Sequence, residues 1–170
     1  MKLTKIERWI LANQYNILEK LYPDEKEYYS KCREILENGY EYHYDEISQH
    51  IYKDSDTMSS EASQEVLDIL HMFSDLKRSY DALKDNSGIE KHLLNFHGFD
   101  GNDHLEVKYL GYARFFCNSD GGRCKELDKG DDFNSHMPTL DRYRSMLAEW
   151  KKNKDIHKLS KEDIICIISA

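Results

Sequence analysis

The chain has 170 residues, a length that one domain accommodates, and is 39% hydrophobic and 33% charged, as is typical of a globular protein with a heavily charged surface. Its net charge of −8 argues against nucleic-acid binding, because a protein that binds phosphates must neutralise them with lysine and arginine. The N-terminus lacks the apolar region of a signal peptide, and no run approaches the roughly 18 apolar residues of a membrane span. We therefore expect one cytoplasmic domain over residues 1–170, without membrane association.

The first predicted helix begins at a capping box formed by Thr4 and Glu7 and ends at Pro23-Asp24. Its apolar residues occupy two adjacent faces, with Ile6, Ile10, Ile17 and Leu21 on one and Leu11, Tyr15, Leu18 and Tyr22 on the other. So wide an apolar arc predicts a helix that packs on more than one side.

The next predicted helices follow in the N-terminal half. Asp24 and Glu27 repeat the capping pattern and predict a second helix, for which Asn38-Gly39 supplies a left-handed stop. A short helix is predicted over about 45–51, and a polar stretch follows it. A long helix then extends to roughly residue 85, and its apolar stripe consists of Val66, Ile69, Leu70, Phe73, Leu76, Tyr80 and Leu83.

In the C-terminal half, Asn86-Ser87-Gly88 breaks the chain, and a further helix is predicted to end near Cys117. The Gly- and Asp-rich stretch 118–137 is the longest predicted loop, and Pro138 opens the next helix. The isoleucine-rich segment 164–168 has the composition of a buried strand. Because a helix start precedes it and no partner strand is evident, we predict a helix. The sequence as a whole predicts an all-α fold, a single multihelical domain of about six to eight helices.

Basic residues cluster once, in a Lys-rich turn consisting of Lys151, Lys152, Lys154, Lys158 and Lys161, with His157 between them. We interpret this turn as the basic end of a helix, placed favourably for the helix dipole. Nucleic-acid binding through it is kept as a secondary alternative, although no aromatic residue interleaves the run. A helix-turn-helix over residues 37–83 is not expected, because its linker is far longer than the usual 3–4 residues.

The histidines and cysteines do not have the spacing of a metal site. The densest set of candidate ligands is His97, Asp100, Asp103 and His104, which we interpret as a polar loop with Asp103 or Asn102 capping the following helix. The stretches 120–122 and 128–132 resemble calcium loops only superficially. Three cysteines lie in apolar patterns and are predicted to be buried: Cys32, Cys117 and Cys166. We predict no metal and no cofactor.

Arg114 is the most unusual charged residue, because its predicted helix is otherwise mainly apolar or aromatic. A guanidinium in such surroundings is costly unless it is paired, and the nearby candidate acids are Asp100 and Glu106. The amide pair Asn13-Gln14 could complete the network. We favour a structural polar cluster over an anion-binding pocket. Gly111, inside the same helix, is expected to let another helix approach closely.

Several separated motifs occur in one order along the chain: Asn13-Gln14-Tyr15, Gly39-Tyr40, Gly98-Phe99-Asp100, Tyr109-Leu110-Gly111-Tyr112 with Arg114-Phe115, Phe133-Asn134 with Pro138, and Trp150. In these motifs the chain resembles the YfbU family of bacterial proteins over nearly its full length. The resemblance implies a multihelical cytoplasmic protein that self-associates. It supplies no catalytic residue, because none is established for that family. The chain departs from the family pattern in the loop 117–124 and in the Lys-rich turn.

The leading functional hypothesis is a helical protein-interaction protein, of scaffold or regulatory type, that forms homo-oligomers and binds an unidentified protein partner. Twelve tyrosines favour it, because tyrosine is enriched at interfaces. The alternative is a binder of a small anionic ligand, or an enzyme, with a site around Arg114 and Asp100. No catalytic residue is predicted, and we lean towards a protein that is not an enzyme. The candidate ligand or interaction residues are Asn13, Gln14, Asp100, Tyr109, Tyr112 and Arg114.

Overall fold

The computed structural model of the chain describes residues 1–118, 123–128, 130–153 and 155–170. These ranges contain seven α-helices and no β-strand, which confirms the all-α prediction. The helices are α1 (Lys5–Leu21), α2 (Lys26–Asn38), α3 (Tyr44–Ile47), α4 (Ser60–Ala82), α5 (Glu106–Asn118), α6 (Leu140–Trp150) and α7 (Lys161–Ile168). Within the described ranges, every helix is too short or too polar to cross a membrane.

The contacts group the chain into two compact units, Met1–Thr57 and Met58–Ala170. Each unit has a hydrophobic core of its own. The single domain over residues 1–170 stays a prediction.

In the first unit, α1 packs against α2 over a small core consisting of Ala12, Cys32, Ile35, Leu36, Tyr44 and Ile47. The capping box of α1 is confirmed: the backbone N–H of Thr4 donates to Glu7 (2.7 Å), and that of Glu7 donates to the Thr4 hydroxyl (3.3 Å). Gly39, with a φ of 70°, ends α2 in the predicted left-handed conformation. The predicted capping box of Asp24 and Glu27 is wrong, because α2 begins after Glu25 and has no side-chain cap.

The two apolar faces of α1 have different environments. Leu11 and Tyr15 pack against the core of the first unit, as predicted. The other face is exposed, so within this chain only one of the two predicted apolar faces is covered. The exposed fractions on this face, including the adjacent Trp9, are 67% for Ile6, 68% for Trp9, 50% for Ile10, 57% for Ile17 and 65% for Leu21. We call these five residues the α1 stripe.

In the second unit, the long helix α4 supplies much of the core, and a group of aromatic rings packs beside it. The rings of Phe73 and Tyr143 lie 5.1 Å apart, and Phe96 lies 5.4 Å from Phe99. Such tilted and edge-to-face contacts are the favoured geometry of aromatic pairs. The core therefore joins α4 and α6 to the loop segments around Phe96 and Phe99.

The isoleucine-rich C-terminal segment is the helix α7, as predicted. Ser160 and Asp163 form its capping box, and its buried residues are Ile164, Ile167 and Ile168. Cys32 and Cys117 are buried as predicted, whereas Cys166 is exposed, so the prediction that it is buried is wrong. It occupies the face of α7 that points away from these isoleucines.

Candidate functional site

Gly98 and Phe99 bring two distant loops together. Gly98 has a φ of 87°, and a side-chain carbon there would lie 1.9 Å from the carbonyl oxygen of Phe133. The backbone N–H of Phe99 donates to that same oxygen (2.9 Å), and the N–H of Ser135 donates to the carbonyl of Phe99 (3.1 Å). Only glycine permits this close approach, since any other residue would collide with the neighbouring backbone. The motif thus joins residues 98–101 to residues 133–135.

A buried carboxylate, Glu106, organises the polar side of this junction. It is 4% exposed and accepts the backbone N–H groups of Asp100 (2.8 Å), Thr139 (2.9 Å) and Leu140 (2.9 Å). Thr139 and Leu140 form the N-terminus of α6, where unpaired N–H groups and the positive end of the helix dipole favour an anion. Glu106 therefore fixes the start of α6 to the 98–101 turn. From the sequence, Glu106 is only a possible partner of Arg114.

Arg114 pairs with Asp132, and not with Asp100 or Glu106. Its guanidinium donates to the carbonyl of Asp132 (2.9 Å) and lies 2.7 Å from the carboxylate of that residue. Asp100 is buried, but its carboxylate accepts from Asn102 instead. The predicted ion pair between Arg114 and Asp100 is wrong, because the partner lies in the long loop before α6, whose backbone path no sequence pattern predicts.

The loop that Arg114 holds has unusual backbone geometry. Asp132 and Phe133 have φ angles of 56° and 59°, in the left-handed region that non-glycine residues rarely adopt. Backbone conformations of this kind persist where several surrounding contacts hold them in place. Here the Arg114 contacts hold Asp132, and burial holds the ring of Phe133. We conclude that Arg114 acts as a clamp on the backbone of this loop.

Gly111 is exposed on α5, and a side-chain carbon there would meet no atom within 4 Å among the described residues. The expectation that Gly111 lets another helix approach closely is therefore wrong within this chain. Gly111→Ala is predicted to stabilise the protein by about 0.5–1 kcal/mol, because alanine has the higher helix propensity. Thermal unfolding followed by circular dichroism measures this. A lower melting temperature would show that the position must stay free of a side chain.

Tyr109 joins the motif to a polar cleft on the second unit. Its ring packs 5.5 Å from Phe99, and its hydroxyl donates to Glu65 (2.5 Å). Arg144 holds the same carboxylate with two donors, at 2.8 and 3.0 Å. The cleft has a volume of about 770 Å³ and is lined by Glu61, Gln64, Glu65, Asp68, Tyr109 and Lys151, among others. Two of the three acids that line it have a cationic partner, since Arg144 holds Glu65 and Lys151 lies 2.5 Å from Asp68.

The ion pair between Glu65 and Arg144 in this cleft predicts how the stability of the protein changes with pH. The hydrogen bond from Arg144 lowers the pKa of Glu65 below its usual 4.5. A carboxylate whose pKa is lowered by folding adds stability above its unfolded pKa and loses that contribution as the pH falls through the folded value. Arg144→Gln should therefore lower the unfolding free energy at neutral pH by up to about 1 kcal/mol, and this difference should shrink below pH 4.5.

Urea unfolding of both proteins across that pH range provides the measurement. Arg142→Gln is the matched control on the same helix, because Arg142 is exposed and is not a partner of Glu65. A difference between wild type and Arg144→Gln that stays constant with pH would contradict the assignment.

The remaining predicted site residues are divided between the two units. Asn13 and Gln14 are exposed on α1 in the first unit, where Asn13 lines a shallow cleft with Lys5, Arg8 and Trp9. Tyr112 is half-buried on α5, and its ring lies 6.2 Å from Phe115. Within the second unit, the structure thus connects Tyr109 to Phe99 and Asp100 to Glu106. It gives Arg114 a different partner.

The other polar clusters have structural partners. Asp103 caps α5, as predicted, by accepting the N–H groups of Leu105 and Glu106. In the Lys-rich turn, Lys161 pairs with Asp85 (2.7 Å), and His157 lies 3.1 Å from the buried Asp75. Lys154 and the Asp120-Gly121-Gly122 stretch lie outside the described residues. Both Lys161 and His157 therefore face carboxylates of α4 or its C-terminal extension.

Comparison with known proteins gives a family. Residues 1–170 match the YfbU domain. The chain is 39% identical to the UPF0304 protein MJECS11 of Methanocaldococcus jannaschii over an alignment 178 positions long, which covers 99% of each protein. No biochemical activity follows from either name. Together, the full-length match and the relative show that this chain belongs to the YfbU family.

Proposed function

We propose that this chain is a cytoplasmic helical interaction protein, of scaffold or regulatory type, that associates with copies of itself. The observation that carries the proposal is the exposure of the α1 stripe, in which five large apolar side chains are each at least half exposed. Several large apolar side chains exposed along one helix face mark a protein interaction site, because water contact with them is unfavourable. Burying the stripe against a partner would remove that cost.

The composition of the stripe also supports a protein partner. Trp9 is 68% exposed, and tryptophan is among the residues that contribute most binding energy at interfaces. Its neighbours on the stripe are aliphatic and lie on one regular helix, which offers a rigid surface. Helix faces with this pattern bind other helices or grooves through side chains one turn apart.

The alternative of a small anionic ligand has little support from the geometry. Arg114 and Asp100, its two central residues, have separate partners in Asp132 and Asn102. The alternative of nucleic-acid binding through the Lys-rich turn is similarly disfavoured, because Lys151 and Lys161 pair with Asp68 and Asp85. We propose neither.

Sedimentation equilibrium at several micromolar concentrations tests the proposal. We expect a mass that rises with concentration to that of a dimer or a larger assembly. A strictly monomeric chain over the whole range would overturn the proposal. Pull-down from native cells would then show whether a different protein also binds.

A further inference from the structure

The apolar residues on the exposed face of α1 have the same spacing whether the helix is read from its N-terminus or from its C-terminus. The midpoint of the four aliphatic residues of the stripe lies between Asn13 and Gln14. Ile10 and Ile17 are equally far from that point, and so are Ile6 and Leu21. At 100° per residue, the four apolar residues fall within one narrow arc of the helix surface. All four are at least half exposed. When a second copy of this face packs against the first in the opposite direction, each of these four apolar residues therefore lies opposite another of the four.

We propose, resting on the proposed self-association, that two copies of this chain pair through α1 as antiparallel helices about a two-fold axis. In a two-fold interface the same surface of each subunit meets itself, so that residue i contacts j and j contacts i. With the axis between Asn13 and Gln14, Ile6 contacts Leu21 of the second copy, and Ile10 contacts Ile17 of the second copy. Each contact occurs twice.

The exposed amides fall at the centre of this arrangement. A two-fold axis perpendicular to the helices reverses their direction but keeps each flank of the stripe on its own side. Asn13 and Gln14 lie on opposite flanks next to the axis, so each faces its own copy. Amides both donate and accept hydrogen bonds, and each pair is therefore self-complementary. A single polar position within an apolar seam is a known means of fixing register.

One flank also places a cation beside the tryptophan. Trp9 and Lys20 lie on the same side of the stripe, and both are exposed. In the antiparallel register, Lys20 of the second copy lies within about 3 Å of Trp9 along the helix axis, as follows from the rise of 1.5 Å per residue. An ammonium beside an indole face is a favourable cation–π contact. A parallel pair would instead place Lys20 of the second copy about 16 Å from Trp9 along the helix axis.

The area of the stripe is sufficient for a dimer. When fully exposed, an aromatic side chain presents roughly 150–250 Å² and an aliphatic one about 100 Å², so the five partly exposed residues offer on the order of 400 Å². Together with the flanking Asn13, Gln14 and Lys20, two copies would bury on the order of 1,000 Å², the lower limit for a specific interface. This agreement favours a second copy of the chain over a short peptide as the occupant.

A charge exchange between two variants tests the pairing. Ile10→Glu and Ile17→Lys each place a charge in the apolar seam, and each alone should weaken the dimer at least tenfold, or by about 1.4 kcal/mol. In an equimolar mixture, the antiparallel heterodimer joins Glu at position 10 to Lys at position 17 and keeps the second Ile10–Ile17 contact intact. Mixing should therefore restore association.

The controls separate the outcomes. Tyr42→Glu alters an aromatic side chain that is 88% exposed outside the stripe and should leave the dimer unchanged. Circular dichroism checks that all variants remain helical. Failure of the mixture to associate, while each variant alone is dissociated, would overturn the antiparallel register. Association of the single variants equal to wild type would overturn α1 as the interface but leave the proposed self-association standing. A monomeric wild type would overturn both.

Cross-linking provides a second measurement. In a Cys166→Ser background, which removes the exposed native thiol, Asn13→Cys should form a disulfide-linked dimer on oxidation, because position 13 lies beside the axis. Ile6→Cys should not, because the two copies of position 6 would be separated by about 22 Å along the helices. A mixture of Ile6→Cys and Leu21→Cys should cross-link. Self-linking at position 6 would indicate a parallel pair and contradict the proposal.

Discussion

Gly98→Ala is expected to destabilise the second unit by about 3–5 kcal/mol, a large part of the stability of an ordinary domain. Two costs add. The φ of 87° is unfavourable for alanine, and the new side-chain carbon would lie 1.9 Å from the carbonyl oxygen of Phe133. That oxygen belongs to the backbone and accepts the N–H of Phe99, so relieving the collision breaks the connection between the two loops. Urea unfolding measures the loss.

Gly88→Ala is the matched control for this prediction. Gly88 has a similar φ of 78°, but a side-chain carbon there would meet no described atom within 4 Å. Its replacement should cost only the backbone strain, about 1 kcal/mol. The difference between the two variants isolates the collision with Phe133. Equal losses at the two positions would show that the close approach at Gly98 contributes nothing.

Glu106→Gln is expected to cost about 3–5 kcal/mol, although it preserves the size of the side chain. The carboxylate of Glu106 accepts from the backbone of Asp100, Thr139 and Leu140. An amide would turn its own N–H₂ group towards at least one of these donors. That backbone N–H would then be buried without an acceptor. It would also remove the negative charge from the N-terminus of α6.

The same unfolding experiment measures this loss, with Glu90→Gln as the control. Glu90 is a solvent-exposed carboxylate, 70% exposed, and it pairs with the equally accessible His92. Its replacement should change the unfolding free energy by less than about 0.5 kcal/mol. A Glu106→Gln variant as stable as wild type would show that the carboxylate is not required at the junction.

Much of the fold could be predicted because its signals are local. Thr4 with Glu7 and Ser160 with Asp163 are capping boxes that the structure contains, and Gly39 is the left-handed residue that ends α2. The helix start at Ser160 and Asp163 also favours helix over strand, correctly, for the isoleucine-rich segment 164–168. Such patterns depend on residues three or four positions apart, and sequence spacing therefore reveals them.

The long-range parts could not be predicted in the same way. The sequence correctly indicates that Arg114 needs a partner, but Asp132 lies 18 residues away across a loop with left-handed residues. Glu106 is one acid among many in the sequence, since its donors are backbone N–H groups that carry no sequence signature. The pattern of α1 correctly indicates two apolar faces. It does not indicate which of them the chain itself covers.

The separate cores of the two units have a consequence for how the protein loses its structure. The core of Met1–Thr57 contains six buried residues, whereas that of Met58–Ala170 is several times larger. Cooperative unfolding requires that one part cannot melt without exposing the core of the other. Because each unit has a core of its own, we expect the smaller unit to melt first, so that a calorimetric trace has two steps. A ligand or second copy held by α1 would raise only the earlier step.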